Sequence, residues 1–466
     1  MSGPWKIPAT WQWSTMGEVA EVVGGGTPRT SRAEYYGGDI PWITPADLSG
    51  YSEKRISRGA RSITRVGLEN SGARLMPAGT VLFSSRAPIG YVAIAANPVS
   101  TNQGFKSFVL RDGLTPDYVY YHLQHAKSLA VELASGTTFL EISGKKAAQI
   151  PIPVAPVDEQ RRIVEEIEKQ FTRLEAGVAA LRQVQVNLKR YRAAVLKAAC
   201  EGKLVPTQTE IQRAESRGQK DFETGEQLLQ RILTERRDWF DRQQASARIK
   251  KKYVEPPCPE TENLPSLPKG WVWGTWNQLS NWVTYGFTRP MPHVDEGISI
   301  ITAKGVNRGR IDFEGADLTT KEAYVELSEK DRPQPGDILI TKDGTIGRAA
   351  VVDTEREFCI NQSVAVIWLR SCPMERKFLL TVIESELTQK PIWAKARGVA
   401  IQHLSITDFA KMALPIPPLA EQTRIVAEAE RRLSVVEELE MVVFANLQCA
   451  TRLRQSILQR VFSGNL

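Results

Sequence analysis

Apolar or small residues at positions 163, 167, 171, 174, 178, 181, 184, 188, 191, 195 and 199 recur at the α-helical period. They predict one uninterrupted helix that opens at the stretch Ile152-Pro-Val-Ala-Pro-Val-Asp-Glu-Gln-Arg-Arg-Ile-Val164 and runs to about Leu204. Pro156 stands just before it, Asp158 is placed to cap its N-terminus, and Gly202 to stop it. A second such pattern opens at Leu414-Pro-Ile-Pro-Pro-Leu-Ala-Glu-Gln-Thr-Arg-Ile-Val426, meets Gly464 and ends at Leu466. At about 1.5 Å rise per residue each helix spans roughly 60 Å, more than a compact domain needs internally. The two are therefore expected to pair with each other. Glu440 and Asn446 fall at core-phase positions of the second, which predicts a packed, hairpin-like bundle more than an ideal coiled coil.

The two helical stretches are copies of each other. Glu159 and Glu421, Gln160 and Gln422, Arg162 and Arg424, and Ile163 and Ile425 all stand 262 positions apart. So do Arg192 and Arg454, Leu196 and Leu458, Gly202 and Gly464, and Leu204 and Leu466. A repeat this long without an insertion means that helix length itself is fixed. The segments before each helix repeat more loosely. Trp11-Gln-Trp13 matches Trp271-Val-Trp273, Ile40-Pro-Trp-Ile-Thr44 resembles Ile298-Ser-Ile-Ile-Thr302, and Asn102-Gln103 matches Asn361-Gln362. Gly79-Thr-Val-Leu-Phe-Ser-Ser-Arg-Ala-Pro-Ile-Gly90 matches Gly336-Asp-Ile-Leu-Ile-Thr-Lys-Asp-Gly-Thr-Ile-Gly347, and the offset drifts between 257 and 260.

Within these segments, short β-branched runs between Gly and Pro breaks predict strands at Thr80–Phe83, Tyr91–Ala95 and Ser107–Leu110, and again at Ile338–Thr341, Ala349–Val352 and Val364–Leu369. Asp117–Leu133 and Glu375–Ala394 carry helical spacing. The expected plan is α/β, mixed α+β: globular domain 1–150, first long helix 151–204, connector 205–264, globular domain 265–413, second long helix 414–466. The connector holds an amphipathic helix over Phe222–Gln243, the run Lys250-Lys-Lys252, read as a solvated turn, and a proline-rich tract from Pro256 to Pro268. The two tryptophan pairs are read as core packing at the start of each domain.

Composition narrows the class. The chain has 466 residues, 42% hydrophobic and 24% charged, ordinary values for globular protein of two or three domains. No apolar run approaches the roughly 20 residues of a membrane span, and Met1-Ser-Gly-Pro-Trp-Lys6 has no signal-peptide core. Five scattered cysteines without Cys-x-x-Cys spacing suit reduced thiols, so a cytoplasmic location is expected. The net charge of +7 is mildly basic, and the surplus lies in the first half; cations and anions balance over 265–413. Charge permits nucleic-acid binding without demanding it.

Catalytic signatures are missing. There is no Gly-x-x-x-x-Gly-Lys-Ser/Thr loop, and Gly24-Gly-Gly26 is followed by Thr-Pro-Arg, which is turn chemistry. His122 and His125 share a helix face without a third ligand and are read as packing residues; no metal site and no catalytic residue is expected. What remains is suited to recognition. Arg86 and Lys342 each precede an Ile-Gly turn, from which a basic side chain can enter a groove and meet guanine or phosphate. Lys54, Arg55, Arg58, Arg61 and Arg65 in the first domain, and Lys304, Arg308 and Arg310 in the second, are candidate phosphate contacts, against the reading of a solvated face. Asn102-Gln103 and Asn361-Gln362 offer carboxamides that fit adenine's edge, although a tight turn is the preferred reading of the two asparagines. Arg29, Thr44 and Arg289 complete the candidate DNA-binding set.

These motifs together resemble the specificity subunits of type I restriction–modification enzymes. The resemblance covers nearly the whole chain. It rests on Pro-(Val/Ile)-x-Pro-(Val/Leu)-x-Glu-Gln-x-Arg-Ile-Val at both helix starts, on the two helix endings, and on Gly26-Thr-Pro-Arg29, Ile40-Pro-Trp-Ile-Thr44 and Thr345-Ile-Gly347. It implies two target-recognition domains, each reading one half of a bipartite, asymmetric site in double-stranded DNA, related by a pseudo-twofold axis and separated by the antiparallel helices as spacer. It implies that Glu159, Gln160, Arg162, Ile163, Glu421, Gln422, Arg424 and Ile425 lie in the partner-docking, spacer part. The implied partners are two modification subunits, which use S-adenosylmethionine to methylate adenine, and two restriction subunits, which use ATP and magnesium; no cofactor is expected on this chain. The balanced charge of 265–413 departs from a simple electrostatic DNA clamp and suggests that partners supply part of it. A free-standing DNA-binding regulator is the alternative reading, and a scaffold without a DNA role a third.

Overall fold

The structure, a computed structural model, describes residues 4–136, 140–214, 222–245, 252–307, 309–396, 398 and 402–464. It divides into two compact units, Met1–Gln183 with Val443–Leu466, and Val184–Val442. Arg308, the first two lysines of Lys250-Lys-Lys252 and the end of the repeat at Leu466 lie outside the described residues.

Two α-helices of 44 residues, Val157–Cys200 and Leu419–Phe462, are the longest elements. Their ends follow local chemistry. Gly202 takes φ +65° and Gly464 φ +71°, the left-handed turn in which a side chain is strained, and each helix stops there. Asp158 falls inside the first turn, not at the cap, and pairs with Arg161 at 3.2 Å. The proline-rich stretch before each helix is a strand instead of helix entry. Pro151–Val154 pairs antiparallel with Gln12–Thr15, and Ala413–Ile416 pairs in the same way with Val272–Thr275. The register sets Trp13 opposite Pro153 and Trp273 opposite Pro415. Proline is tolerated because each sheet has two strands, so an edge needing no donor is always available.

In unit 1, a five-stranded sheet runs in the order Ala20–Gly24, Lys106–Leu110, Val81–Phe83, Val92–Ala95, Arg55–Ile56. A three-stranded sheet holds Arg61–Ile63, Tyr36–Ile43 and Ser100–Thr101. The expected helix over Asp117–Leu133 is broken at Ala126 into Pro116–His125 and Lys127–Leu133. Its buried face meets Ile163, Ile167 and Phe171 of the first long helix and Ile457, Leu458, Val461 and Phe462 of the second in one core. The Phe462 ring lies 5.2 Å from that of Tyr118 and 5.1 Å from that of His122. The histidines are packing residues: His122 is buried, with Nε2 2.8 Å from the Pro151 carbonyl oxygen. Burial, and then the neighbouring His125, push its imidazole down to about 3.

Unit 2 repeats the plan. A four-stranded sheet runs Trp282–Tyr285, Val364–Trp368, Ile338–Thr341, Ala349–Val351, beside a three-stranded sheet of Asp317–Thr319, Ile298–Ile301 and Phe358–Ile360. Here the expected helix over Glu375–Ala394 is broken at Ser385 into Arg376–Glu384 and Glu386–Ala394. The core gathers Val195, Ala199 and Cys200 from the first long helix and Ile425, Val426 and Ala429 from the second around Trp276 and Phe409. The connector helix, Gly225–Ala245, adds Leu228, Leu229 and Ile232 to it. Trp11 and Trp271 are buried, as core packing requires.

The repeated motif at each helix start acts mostly inward. The Gln160 carboxamide, fully buried, accepts from Thr115 N at 2.9 Å and donates to the carbonyls of Gly113 and Ala155, both at 2.8 Å. Gln422 does the same work in unit 2, accepting from Glu375 N at 2.9 Å and donating to Pro417 O at 2.8 Å. Thr115 and Glu375 are the N-cap residues of Pro116–His125 and Arg376–Glu384, so each glutamine ties a long helix to the first turn of a domain helix.

Candidate nucleic-acid interface

In each unit the same loops converge beyond the strand ends, and close backbone contact fixes them. Gly25 lies against the Asn102 turn so tightly that a Cβ there would sit 1.8 Å from the Asn102 carbonyl oxygen; at Gly286 it would sit 1.9 Å from that of Ile360. Only glycine fits either place. Gly26 N donates to Thr101 O at 2.9 Å and accepts, through its own carbonyl, the Trp42 indole N–H at 2.9 Å. In unit 2, Phe287 N donates to Ile360 O at 3.1 Å and Gln362 N donates back to Phe287 O at 2.9 Å. The loop carrying Arg29 therefore lies against Asn102-Gln103, and the loop carrying Arg289 against Asn361-Gln362.

The strand-connecting turns join the same cluster. Ser85 N donates to Gly104 O at 2.7 Å, and Lys342 N to Ser363 O at 2.8 Å. A later loop closes over each turn: Ile142 N donates to Ser85 O at 3.0 Å, and Leu404 N to Lys342 O at 2.7 Å. In the first turn Ala87 takes φ +50°, where the equivalent Gly344 of the second takes φ +80°. A non-glycine residue held in that region is strained, and such strain gathers where recognition or catalysis takes place.

The side chains divide by what they touch. Asn102 Oδ1 accepts from Gly104 N at 2.9 Å, and Asn361 Oδ1 from Ser363 N at 3.0 Å and Ser363 Oγ at 2.6 Å, the tight-turn arrangement. Gln103 is exposed and bonds Thr27 Oγ1, and Gln362 is exposed. Thr44 caps a turn with Asp47 at 2.7 Å. Arg29, Arg58 and Arg61 in unit 1 and Lys304 and Arg310 in unit 2 are exposed and form no ion pair among the described residues. Arg65 pairs with Glu69 at 2.9 Å along its own helix, and Arg289 with Glu326 at 3.5 Å.

Lys54 and Arg55 are engaged inside the fold. Lys54 Nζ meets Asp117 Oδ1 at 2.5 Å and also Glu168 of the first long helix, and Arg55 meets Asp117 at 2.8 Å. Burial acts to lower the Lys54 ammonium, but its bonds to Asp117 and Glu168 outweigh that and raise it above the usual lysine value. Lys54 ties this edge of the five-stranded sheet to the first long helix, while Arg55, its side chain 49% exposed, pairs with Asp117 of the Pro116–His125 helix. Arg86 lies 3.6 Å from Glu141, and Lys342 bonds Asp343 at 2.8 Å while lying 5.3 Å above the Tyr285 ring.

Glu141 in unit 1, and Asp343 and His403 in unit 2, were not singled out in the sequence, yet they stand where a later loop closes over the turn of each unit. The signal available was the 262-residue offset between Glu141-Ile-Ser143 and His403-Leu-Ser405, a repeated frame that keeps an apolar residue and a serine while Glu141 is replaced by His403. Of the helix-motif residues, Gln160, Ile163, Glu421, Gln422 and Ile425 are buried, and Glu159 is half-buried. Glu421 accepts the Trp271 indole N–H at 2.9 Å and the Gln208 amide at 3.0 Å. Arg162 is exposed, while Arg424 bonds Gln208 Oε1 at 3.0 Å. Among the described residues, no three His, Cys, Asp or Glu side chains stand together in a metal-holding arrangement, and no helix is long and apolar enough to cross a membrane.

Comparison with known proteins gives a consistent family. The profile of the type I restriction modification DNA specificity domain matches residues 8–180 and 293–430. The MjaIX type I restriction enzyme specificity subunit of Methanocaldococcus jannaschii is 45% identical over 161 residues, covering 34% of this chain and 37% of that protein. The EcoBI specificity subunit of Escherichia coli is 25% identical over 376 residues, covering 80% of this chain and 70% of that protein. The first of these matches thus spans little more than a third of the relative's length. A chain from a solved structure of a type I R-M system superposes with a TM-score of 0.65 at 19% identity, covering 99% of this chain and 100% of that one, a likeness of fold.

Proposed function

This chain belongs to the type I restriction modification DNA specificity family, and we propose that it selects the DNA target of a multisubunit adenine methyltransferase and endonuclease without itself performing the chemistry. Each unit's loop cluster reads one half of a bipartite site, and the two long helices set the gap between the halves. The observation that carries this reading is the doubled loop cluster: one backbone scaffold, built twice, bearing different side chains at equivalent places. Different side chains on the same scaffold imply different half-sites, hence an asymmetric target.

Exposed cations at the cluster margins, Arg29, Arg58 and Arg61 in one unit and Lys304 and Arg310 in the other, serve the phosphates, and the turn residues serve the bases. Two modification subunits dock along the exposed faces of the long helices and bring S-adenosylmethionine; two restriction subunits bring ATP and magnesium. The buried glutamines of the helix motif then act on partners only indirectly, by fixing how each helix leaves its domain.

Co-expression with a modification subunit, followed by sequencing of the methylated bases, tests the reading. The expected result is one split motif, of which only one half changes when residues 1–150 are replaced. Changes in both halves would contradict the reading, and specific binding of a duplex by this chain alone, with no methylation in the complex, would favour a free-standing regulator.

A further inference from the structure

The loop that closes over each strand turn carries a side-chain pair whose polarity differs between the units. The backbone clamp is the same in both, Ile142 N to Ser85 O and Leu404 N to Lys342 O. In unit 1 the turn supplies a cation, Arg86, and the closing loop a carboxylate, Glu141, 3.6 Å apart, with Lys106 3.6 Å from the other carboxylate oxygen. In unit 2 the turn supplies the carboxylate, Asp343, and the closing loop an imidazole, His403, with Nδ1 2.7 Å from Oδ1. Lys342 Nζ donates to the same oxygen at 2.8 Å.

We propose that this clamp is a base-reading position in each half-site, and that its side-chain pair decides which hydrogen-bonding edge is accepted. The proposal rests on the half-site reading above. A carboxylate only accepts hydrogen bonds, so the contact with Asp343 places the ring proton on Nδ1. In the neutral ring the lone pair is then on Nε2, at the outer end of the imidazole. The His403 side chain is 53% exposed and that of Asp343 18%, which makes the ring the outward surface and the carboxylate its inner support. An acceptor presented in this way matches an exocyclic amino group, adenine N6 or cytosine N4, in the major groove. Arg86 is the reverse case. Its side chain is 38% exposed, one guanidinium nitrogen faces Glu141, and the remaining N–H groups match an acceptor edge such as guanine O6 and N7. Lys342 and Asp343 offset each other in charge, so the unit 2 clamp contributes orientation and little general attraction for DNA.

The test uses the chain assembled with its modification subunits and duplexes randomised at both half-sites. His403→Ala is expected to lower discrimination at one base pair of one half-site by about 5- to 150-fold, the range of a single good base contact, and to leave the other half unchanged. Arg86→Ala is expected to do the same in the opposite half. Asp343→Ala keeps the ring and removes its support, so it should weaken discrimination at the same base pair as His403→Ala. His403→Gln, which keeps an acceptor, should retain part of the preference. Equal loss across all sequences in either alanine variant, or unchanged discrimination at every position, overturns the proposal. Absence of any split motif with the unaltered chain would instead remove the half-site reading on which it rests.

Discussion

Arg454 on the second long helix places its guanidinium 3.2 Å from the carboxylate of Glu175 on the first. Moving each residue to its counterpart 262 positions away exchanges the roles: Arg192 on the first helix meets Glu437 on the second at 3.4 Å. The first pair lies in unit 1 and the second in unit 2, so one antiparallel register is written twice. An insertion in one helix alone would break the exchange, which is why the repeat tolerates none.

These ion pairs mark the register more than they hold it. Their side chains are mostly exposed, so Arg454→Ala should cost about 0.2–1 kcal/mol, raised slightly by loss of its contact with the Phe171 ring. Phe462→Ala removes a fully buried ring from the unit 1 core and should cost about 3–5 kcal/mol. Urea unfolding of the two variants separates the cases; equal midpoints would contradict this ranking.

The helix-start glutamines should behave as internal ties. Truncating Gln160 to alanine leaves the Thr115 amide and two carbonyls without their partner, at a cost of about 1–3 kcal/mol, and Gln422→Ala should act alike in unit 2. Hydrogen exchange should speed up first at Pro116–His125 in one variant and Arg376–Glu384 in the other. Unchanged protection in both helices would show that the carboxamides do not hold them.

Acid should loosen the units differently. His122 binds its proton near pH 6.5 in the unfolded chain but only at about 3 when folded. Its contribution is therefore complete above pH 6.5 and is lost as pH falls from there toward 3, about 2 kcal/mol of it by pH 5. Asp337 in unit 2 has the opposite sign. Burial pushes its carboxyl up to about 6, against the bond from Gln334 N and the neighbouring Arg370. The stability it permits is present below its unfolded value of 3.8 and lost as pH rises through about 6. Peptide-resolved hydrogen exchange between pH 7 and 5 should show unit 1 weakening more than unit 2, and His122→Gln should flatten that difference. Parallel weakening of both units would count against these assignments.

The exposed and engaged cations should separate in DNA binding by the assembled complex. Arg58→Ala with Arg61→Ala should weaken binding across all sequences and reduce the salt slope by about two phosphate contacts. Lys54→Met should leave the slope intact and lower the stability of unit 1, because its ammonium is occupied by Asp117 and Glu168. A slope reduced by Lys54→Met would return that residue to the phosphate contacts.

Legibility in the sequence followed the range of the interaction. The long helices, their glycine stops and the strands at Ile338–Thr341 and Val364–Trp368 follow from local periodicity and could be read directly. Pro151–Val154 could not, since its partner strand begins at Gln12 and its prolines argue against pairing. Lys54 and Arg55 look like free cations because Glu168 and Asp117 lie 114 and 62 residues further along the chain. The Asp343–His403 contact, 60 residues apart, was hidden for the same reason. Side-chain pairing between distant loops is a product of the fold, and no spacing rule announces it.

The central claim is that helix length sets the distance between the two halves of the target. The pairs Glu175–Arg454 and Arg192–Glu437 bracket the middle of each helix, so excising residues 180–186 and 442–448 together removes equivalent segments of two helical turns. At 1.5 Å rise this shortens each helix by roughly 10 Å, on the order of one to three base pairs of DNA. Sequencing the bases methylated by the complex should return both half-sites unaltered with a shorter gap between them. The original gap, methylated with undiminished preference, would contradict the account.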